Sequence, residues 1–198
     1  MTVTEERQDT SLAARRAMID SQLRPSGVSE PWVLEAMLST PREDYVPAEM
    51  RSAAYIDRAI PLGNGRMLAA PLVQGRLLGE ARPTRDDKAL LVGDGSGYLA
   101  ALLRPLVGSL EAVEPSQANA PGEGGYSLIV IDGAVEVLPE ALTDRLREDG
   151  RIATGQVLRG VTRLAVGRKA AGTVALLPLA EMGIPVLPEF AAPKRWSF

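Results

Sequence analysis

A doubly wound α/β domain with a mostly parallel sheet is predicted by three observations. From Lys88 onward, short apolar runs of strand length alternate with runs of helical periodicity, the order that lays helices over a parallel sheet. Gly93, Gly95 and Gly97 mark the seam between the first such strand and the helix after it. The stretch "VTRLAVGRKAAGTVALLPLAEM" reads as two strands around a "KAAG" turn, an antiparallel hairpin that closes one edge.

Residues 1–10 are polar and expected to be disordered, leaving 11–198 as a single domain. Within it, 11–82 forms a helical and loop region, 83–180 the sheet and 181–198 an irregular tail. "LAARRAMIDSQL" places Leu12, Arg16, Ile19 and Leu23 at helical spacing. "RPSGVSEP" breaks that helix, and Ser29 is a candidate cap for the next, "PWVLEAML", which offers Trp32, Leu34, Met37 and Leu38 to a core. Pro41 and Pro47 punctuate the stretch after that helix, and "YIDRAIPLGNGRMLAAP" reads as a linker. "LVQGRLLGEA" is a short helix. "KALLVGDG" is a buried strand, "YLAALLRPLV" a helix that Pro105 ends, and "SLEAVEP" a second strand. "YSLIVIDGA" is apolar enough to be buried on both faces. "PEALTDRLRED" reads as a helix with Gly150 at its C-cap, and "GRIATGQ" as a fourth strand. The tail holds Pro185, Pro188 and Pro193 and ends in "KRWSF".

Composition narrows the chemistry. The 198 residues contain no Cys and no His. Thiolate nucleophiles, Ser-His-Asp triads and Cys/His zinc sites are therefore excluded, and no metal site is expected. A net charge of −3 gives no basic footprint for nucleic acid. No apolar run approaches the ~18 residues of a membrane span, and the polar N-terminus carries no secretory pattern. A cytoplasmic location is expected.

The glycine seam carries the functional signal. In an open parallel sheet, ligands sit beyond the carboxyl ends of the strands, where the chain reverses its winding. Glycines let the backbone turn sharply there, and the helix N–H groups beyond favour polar or anionic ligand atoms. The pattern is G-x-G-x-G followed by Tyr98. A dinucleotide fingerprint wants glycine where Tyr98 stands, which argues against NAD and for another adenosine-bearing ligand. Glu114 ends the next strand, where a carboxylate can accept both hydroxyls of a ribose.

These blocks, in this order, resemble the protein-L-isoaspartate O-methyltransferases over roughly residues 13–165. "MIDSQLRPSGVSEPWVLEAMLSTPREDYVP" is similar to the family's N-terminal helices and P-R-E-x-[FY]-V-P signature. "AYIDRAIPLGNGRMLAAP" is similar to its substrate loop, "LLVGDGSGYLAALL" to its first cofactor motif, and "YSLIVIDGAVEVLPEALTDRLREDGRIATG" to its later strand-helix-strand unit. The resemblance implies a Rossmann-like methyltransferase that uses S-adenosyl-L-methionine to methylate isoaspartyl carboxylates in damaged proteins, working as a monomer. It implies that Gly93, Asp94, Gly95, Ser96, Gly97, Tyr98 and Glu114 hold the cofactor, with Asp94 pairing its ammonium. It implies that Gly63, Gly65, Arg66 and Asp132 face the acceptor.

Three departures stand out against that family. Ala69 occupies the place of a catalytic-site serine, and Arg66 that of a glutamine. Arg66 can clamp a carboxylate or remain a solvated loop arginine. Leu91 stands where the family carries an acid. Residues 115–125, "PSQANAPGEGG", replace a helix, a strand and a loop that cover the adenine. Two readings stay open: an active methyltransferase, or a non-enzymatic binding or regulatory descendant of the fold.

Overall fold

The computed structural model describes residues 3–193. The N-terminal layer comprises α1 (Val3–Met18), which tightens into a π-helical turn over Ile19–Leu23, and α2 (Pro31–Ser39). The helix thus begins well before residue 11, so the expected disordered segment is replaced by helix from Val3 onward. Ser29 does not cap α2. Glu30 holds that place without a side-chain cap, and its carboxylate accepts the Ser29 N–H at 3.1 Å.

Two 3-10 turns, Arg42–Tyr45 and Ala48–Ala53, lead into the segment expected to be a linker. It is in fact a small hairpin, β1 (Ile60–Gly63) paired antiparallel with β2 (Arg66–Leu68). Gly63, Asn64 and Gly65 all adopt positive φ at its tip, which is why two of the three are glycine. Beyond it, α3 (Pro71–Ala81) starts on a proline and ends on Arg82 in the left-handed conformation.

The sheet then forms from β3 (Lys88–Val92), β4 (Ser109–Val113), β5 (Tyr126–Val135), β6 (Leu146–Leu158), β7 (Val161–Ala170) and β8 (Thr173–Glu181). Their spatial order is β4-β3-β5-β6-β7-β8. The pairs from β4 to β6 are parallel, and β6-β7-β8 is antiparallel, as the sequence leads one to expect. From β3 the chain steps outward to β4 and then returns across to β5, which opens a crevice at the strands' carboxyl ends.

The alternation of β3 splits its side chains between two cores. Ala89 and Leu91 join α1 to α4 on one face, with Leu23, Met37, Leu78, Leu99 and Val130 in a single continuous cluster. Leu90 and Val92 face the other side, with Ile129, Ile131, Leu142 and Phe190. Helix α4 (Tyr98–Leu103) ends before Pro105, as that residue dictates.

Helix α5 (Glu140–Arg145) stops short of its expected end, and Gly150 is no cap: it lies inside β6. A Cβ on Gly150 would sit 2.8 Å from both the Leu146 side chain and the Arg147 carbonyl, so close packing rather than helix capping selects the glycine. At the opposite end of the sheet Asp87 is buried, bonded by Arg151 Nη2 at 2.7 Å, Ser127 Oγ at 2.6 Å and Thr84 N at 2.7 Å. Burial alone would raise its pKa, but those donors hold the carboxyl well below the usual range.

Residues 182–193 carry little regular structure but are tied to the sheet. Ala134 N donates to the Pro185 carbonyl at 2.8 Å and Leu187 N to the Ala134 carbonyl at 2.9 Å, so the segment straps across the end of β5. A 3-10 turn (Pro188–Phe190) then buries Phe190 against the second core. The terminal "KRWSF" lies outside the described residues. Among the described residues, no helix is long and apolar enough to cross a membrane.

Candidate active site at the glycine bend

The bend after β3 lies where the winding reverses. Gly93 N donates to the Val113 carbonyl at 2.9 Å, which ties the bend to the end of β4. A Cβ on Gly93 would stand 3.0 Å from the Asp132 Cβ on β5, and one on Gly95 would stand 2.9 Å from the Ala112 Cβ on β4. The glycines are thus needed first to let β3, β4 and β5 converge.

A cleft of about 380 Å³ opens over this point, within the usual range of small-molecule pockets. Its walls are the bend, the β1-β2 hairpin from Leu62 to Leu68, Asp44 and Tyr45, Asp132, and the strap from Pro185 to Glu189. Of the residues singled out in the sequence, Gly65, Arg66, Gly93, Asp94, Ser96, Gly97, Tyr98 and Asp132 line it together. Gly63 is at the hairpin tip outside the lining, with open space around it. Gly95 is turned toward β4.

Each polar group has a definite state. Asp94 Oδ1 accepts from Ser96 N at 2.8 Å and from Ser96 Oγ at 2.7 Å. The Ser96 bonds keep its pKa below the ordinary aspartate value. Ser96 is therefore an orienter of Asp94. Glu114 ends β4 as expected, and its carboxylate is bound by Arg66 from the hairpin and by the Gln117 backbone N–H. Asp132 lies at the floor, where burial pushes its carboxyl up to about 6, with Arg42 and Arg66 drawing it back down. Tyr98 meets the cleft from beneath. Its ring is 1% exposed, edge-on to Tyr45 with centroids 5.5 Å apart, and 5.1 Å below the Arg42 guanidinium. Ala69 is buried, is not part of the lining, and contributes its carbonyl instead.

Sequence reasoning missed Arg42. This residue is fully buried. Its Nε donates to the Ala54 carbonyl at 2.8 Å, its Nη2 to the Ala69 carbonyl at 2.5 Å, and its Nη1 to Gln74 Oε1. Burial lowers its pKa to about 10, which still leaves it charged at neutral pH. It ties Ala69, just after the hairpin, to Ala54 and to Gln74 of α3, and its charge draws the Asp132 pKa down. Gln74, which accepts from Arg42, also acts on Asp132 through its side chain and draws that carboxyl's pKa down. The signal was an arginine between Pro41 and Pro47, where a solvated turn needs none. The strap was missed as well: Pro185 and Pro188 fix an extended run that no periodicity announces.

A parallel sheet with a glycine bend and a strand-end acid, closed by an antiparallel meander, defines a doubly wound, Rossmann-like domain with its ligand site at the bend. The family model for protein-L-isoaspartate(D-aspartate) O-methyltransferase matches residues 13–118. A protein-L-isoaspartate O-methyltransferase of Koribacter versatilis is 33% identical over 190 residues, covering 82% of this chain and 86% of the relative. One from Aeropyrum pernix is 41% identical over 160 residues, covering 80% of this chain and 52% of the relative. A crystal structure described as such an enzyme from Plasmodium falciparum, in complex with S-adenosyl-L-homocysteine, superposes with a TM-score of 0.69 at 17% identity. That match covers 90% of this chain and 98% of the other. The chain belongs to the protein-L-isoaspartate O-methyltransferase family.

Proposed function

We propose that the protein is an S-adenosyl-L-methionine-dependent methyltransferase that esterifies isoaspartyl carboxylates in damaged proteins. The observation that carries this reading is the convergence of Gly93, Asp94 and Asp132 on one cleft at the ends of adjacent parallel strands, with Glu114 beside it, paired to the lining residue Arg66.

The residues present fit the cofactor. The bend at Gly93 and Gly97 presents bare backbone to the cleft, and Asp94 is an ionised partner for an ammonium. Glu114, directly after β4, offers a half-exposed carboxylate that can accept the hydroxyls of a ribose. When bound, the cofactor supplies a methyl group on a positively charged sulfur, which a carboxylate oxygen takes as the carbon–sulfur bond breaks, leaving a methyl ester and a neutral thioether.

No proton moves in that reaction. A carboxylic acid of pKa near ~4 is already ionised at neutral pH, so no imidazole base is needed. The chain's own task is to orient, to exclude water and to balance charge. Asp94 and Asp132 make the floor negative, which favours binding of a cationic cofactor. Arg42, held beneath by three acceptors, keeps that floor in place. A cytoplasmic, monomeric protein, as expected from the sequence, accords with a free protein substrate.

The test pairs binding with turnover. Calorimetry with S-adenosyl-L-homocysteine should give micromolar affinity, and an isoaspartyl peptide should acquire methyl while its aspartyl counterpart does not. Binding without transfer, or no binding at all, would overturn the methyltransferase reading and leave only the non-enzymatic one.

A further inference from the structure

Arg66 is the one cation among the described residues lining the cleft; Asp44, Asp94, Asp132 and Glu189 are its acids. A cationic cofactor suits such a surface, but an acceptor carboxylate does not. It would enter against several like charges, which repel it. Some cation must meet it, and Arg42 is sealed under the floor with every nitrogen of its fork committed.

Arg66 is committed too, but in a reversible way. Its Nη1 donates to Glu114 Oε2, next to Pro115 of the cleft wall, and the two side chains remain 40% and 45% exposed. Ion pairs this exposed are worth little and exchange readily. The arm starts at β2, directly after three residues of positive φ, on a hairpin of only two short strands. Glu114 is also the carboxylate placed for a ribose diol. A diol bonding there competes with Arg66, because the Gln117 N–H already takes part of the same carboxylate.

We infer that Arg66 is the acceptor-recognition residue, stored on Glu114 in the free protein and handed to the acceptor's carboxylate when a ribose occupies Glu114. The inference rests on the methyltransferase reading. One guanidinium N–H holds one oxygen of the acceptor carboxylate and leaves the other free to react. Cofactor binding thereby prepares the site for its second substrate, and the order of binding is set by one shared carboxylate.

Three variants test this in the full-length protein. Arg66→Gln should raise KM for an isoaspartyl peptide by roughly tenfold or more. The same change should leave the Kd for S-adenosyl-L-homocysteine unchanged or tighten it by up to about fivefold. The wild-type KM should climb with ionic strength and the Arg66→Gln KM should not, with Arg66→Lys intermediate. Amide exchange across residues 60–68, measured without ligand, should quicken in Glu114→Gln. S-adenosyl-L-homocysteine should quicken it in the wild type.

Weakened S-adenosyl-L-homocysteine binding in Arg66→Gln would make Arg66 a cofactor ligand and overturn the inference. So would an unchanged peptide KM and salt slope, or hairpin exchange indifferent to Glu114. If the wild type binds S-adenosyl-L-homocysteine yet methylates no isoaspartyl peptide, the substrate reading fails by itself. The ligand-dependent release of the hairpin then still decides whether Arg66 is handed over.

Discussion

Replacing Arg42 by Met keeps most of the side-chain volume and removes the charged fork. Three acceptors lose their donor at once: the Ala54 and Ala69 carbonyls and Gln74 Oε1. Hydrogen bonds from a charged donor contribute about 1.5–3 kcal/mol each, and an orphaned buried acceptor costs about 1–3 kcal/mol. Against this stands the desolvation of the guanidinium, visible in a pKa lowered from 12.5 to about 10, or about 3 kcal/mol relieved on removal. Three such bonds amount to about 4.5–9 kcal/mol, and that relief leaves a net expected loss of about 2–6 kcal/mol. For a chain of this size that lowers Tm by roughly 4–24 °C. Urea unfolding followed by circular dichroism measures it, with a double-mutant cycle against Gln74→Leu to isolate the shared bond. A loss under about 1 kcal/mol would refute the reasoning, because the three carbonyl-type acceptors would then be finding partners without Arg42.

Other substitutions test other parts of the architecture. Asp132 has its folded pKa raised to about 6, so its folded form binds the proton more tightly than the unfolded chain does. It therefore destabilises the fold increasingly as pH rises from about 4 to about 6, and Asp132→Asn should gain about 1–3 kcal/mol at pH 7.5 and nothing at pH 4. Thermal melts at the two pH values decide, and an equal gain at both would remove burial as the cause. Gly95→Ala would put a Cβ 2.9 Å from the Ala112 Cβ, forcing β4 away from the bend at about 1–3 kcal/mol; calorimetric melting without that drop would place Gly95 in open space. Gly133→Ala would bring a Cβ to 2.5 Å from the Leu187 Cγ. It should lift the strap and expose the 182–193 segment to limited proteolysis, and an unchanged digest would contradict the packing.

The parts of this molecule that repeat along the chain were the parts legible in it. The run "KALLV" had to be a strand buried on both faces, because five apolar-rich residues between charge and glycine leave no polar side to expose. The "KAAG" hairpin likewise arises from local turn chemistry. Gly93, Asp94 and Glu114 could be read as site residues because strand ends and bends declare themselves locally. The beginning of α1, the end of α5 and the place of Gly150 could not, because each depends on what packs against it.

The order of residues alone thus dictated the alternation of elements, the bend, the absence of an imidazole and the acids at the strand ends. How those groups are used was settled by packing in three dimensions. It set Arg42 within electrostatic reach of Asp132, Arg66 on Glu114, Ser96 on Asp94, and a proline-rich tail along the cleft. Arg66 and Glu114 stand 48 positions apart in the chain, and Leu187 meets Gly133 from the far end of it. Periodicity reports only which face of an element is apolar; the partner across a cleft is fixed by how the elements cross, and that has no local signature.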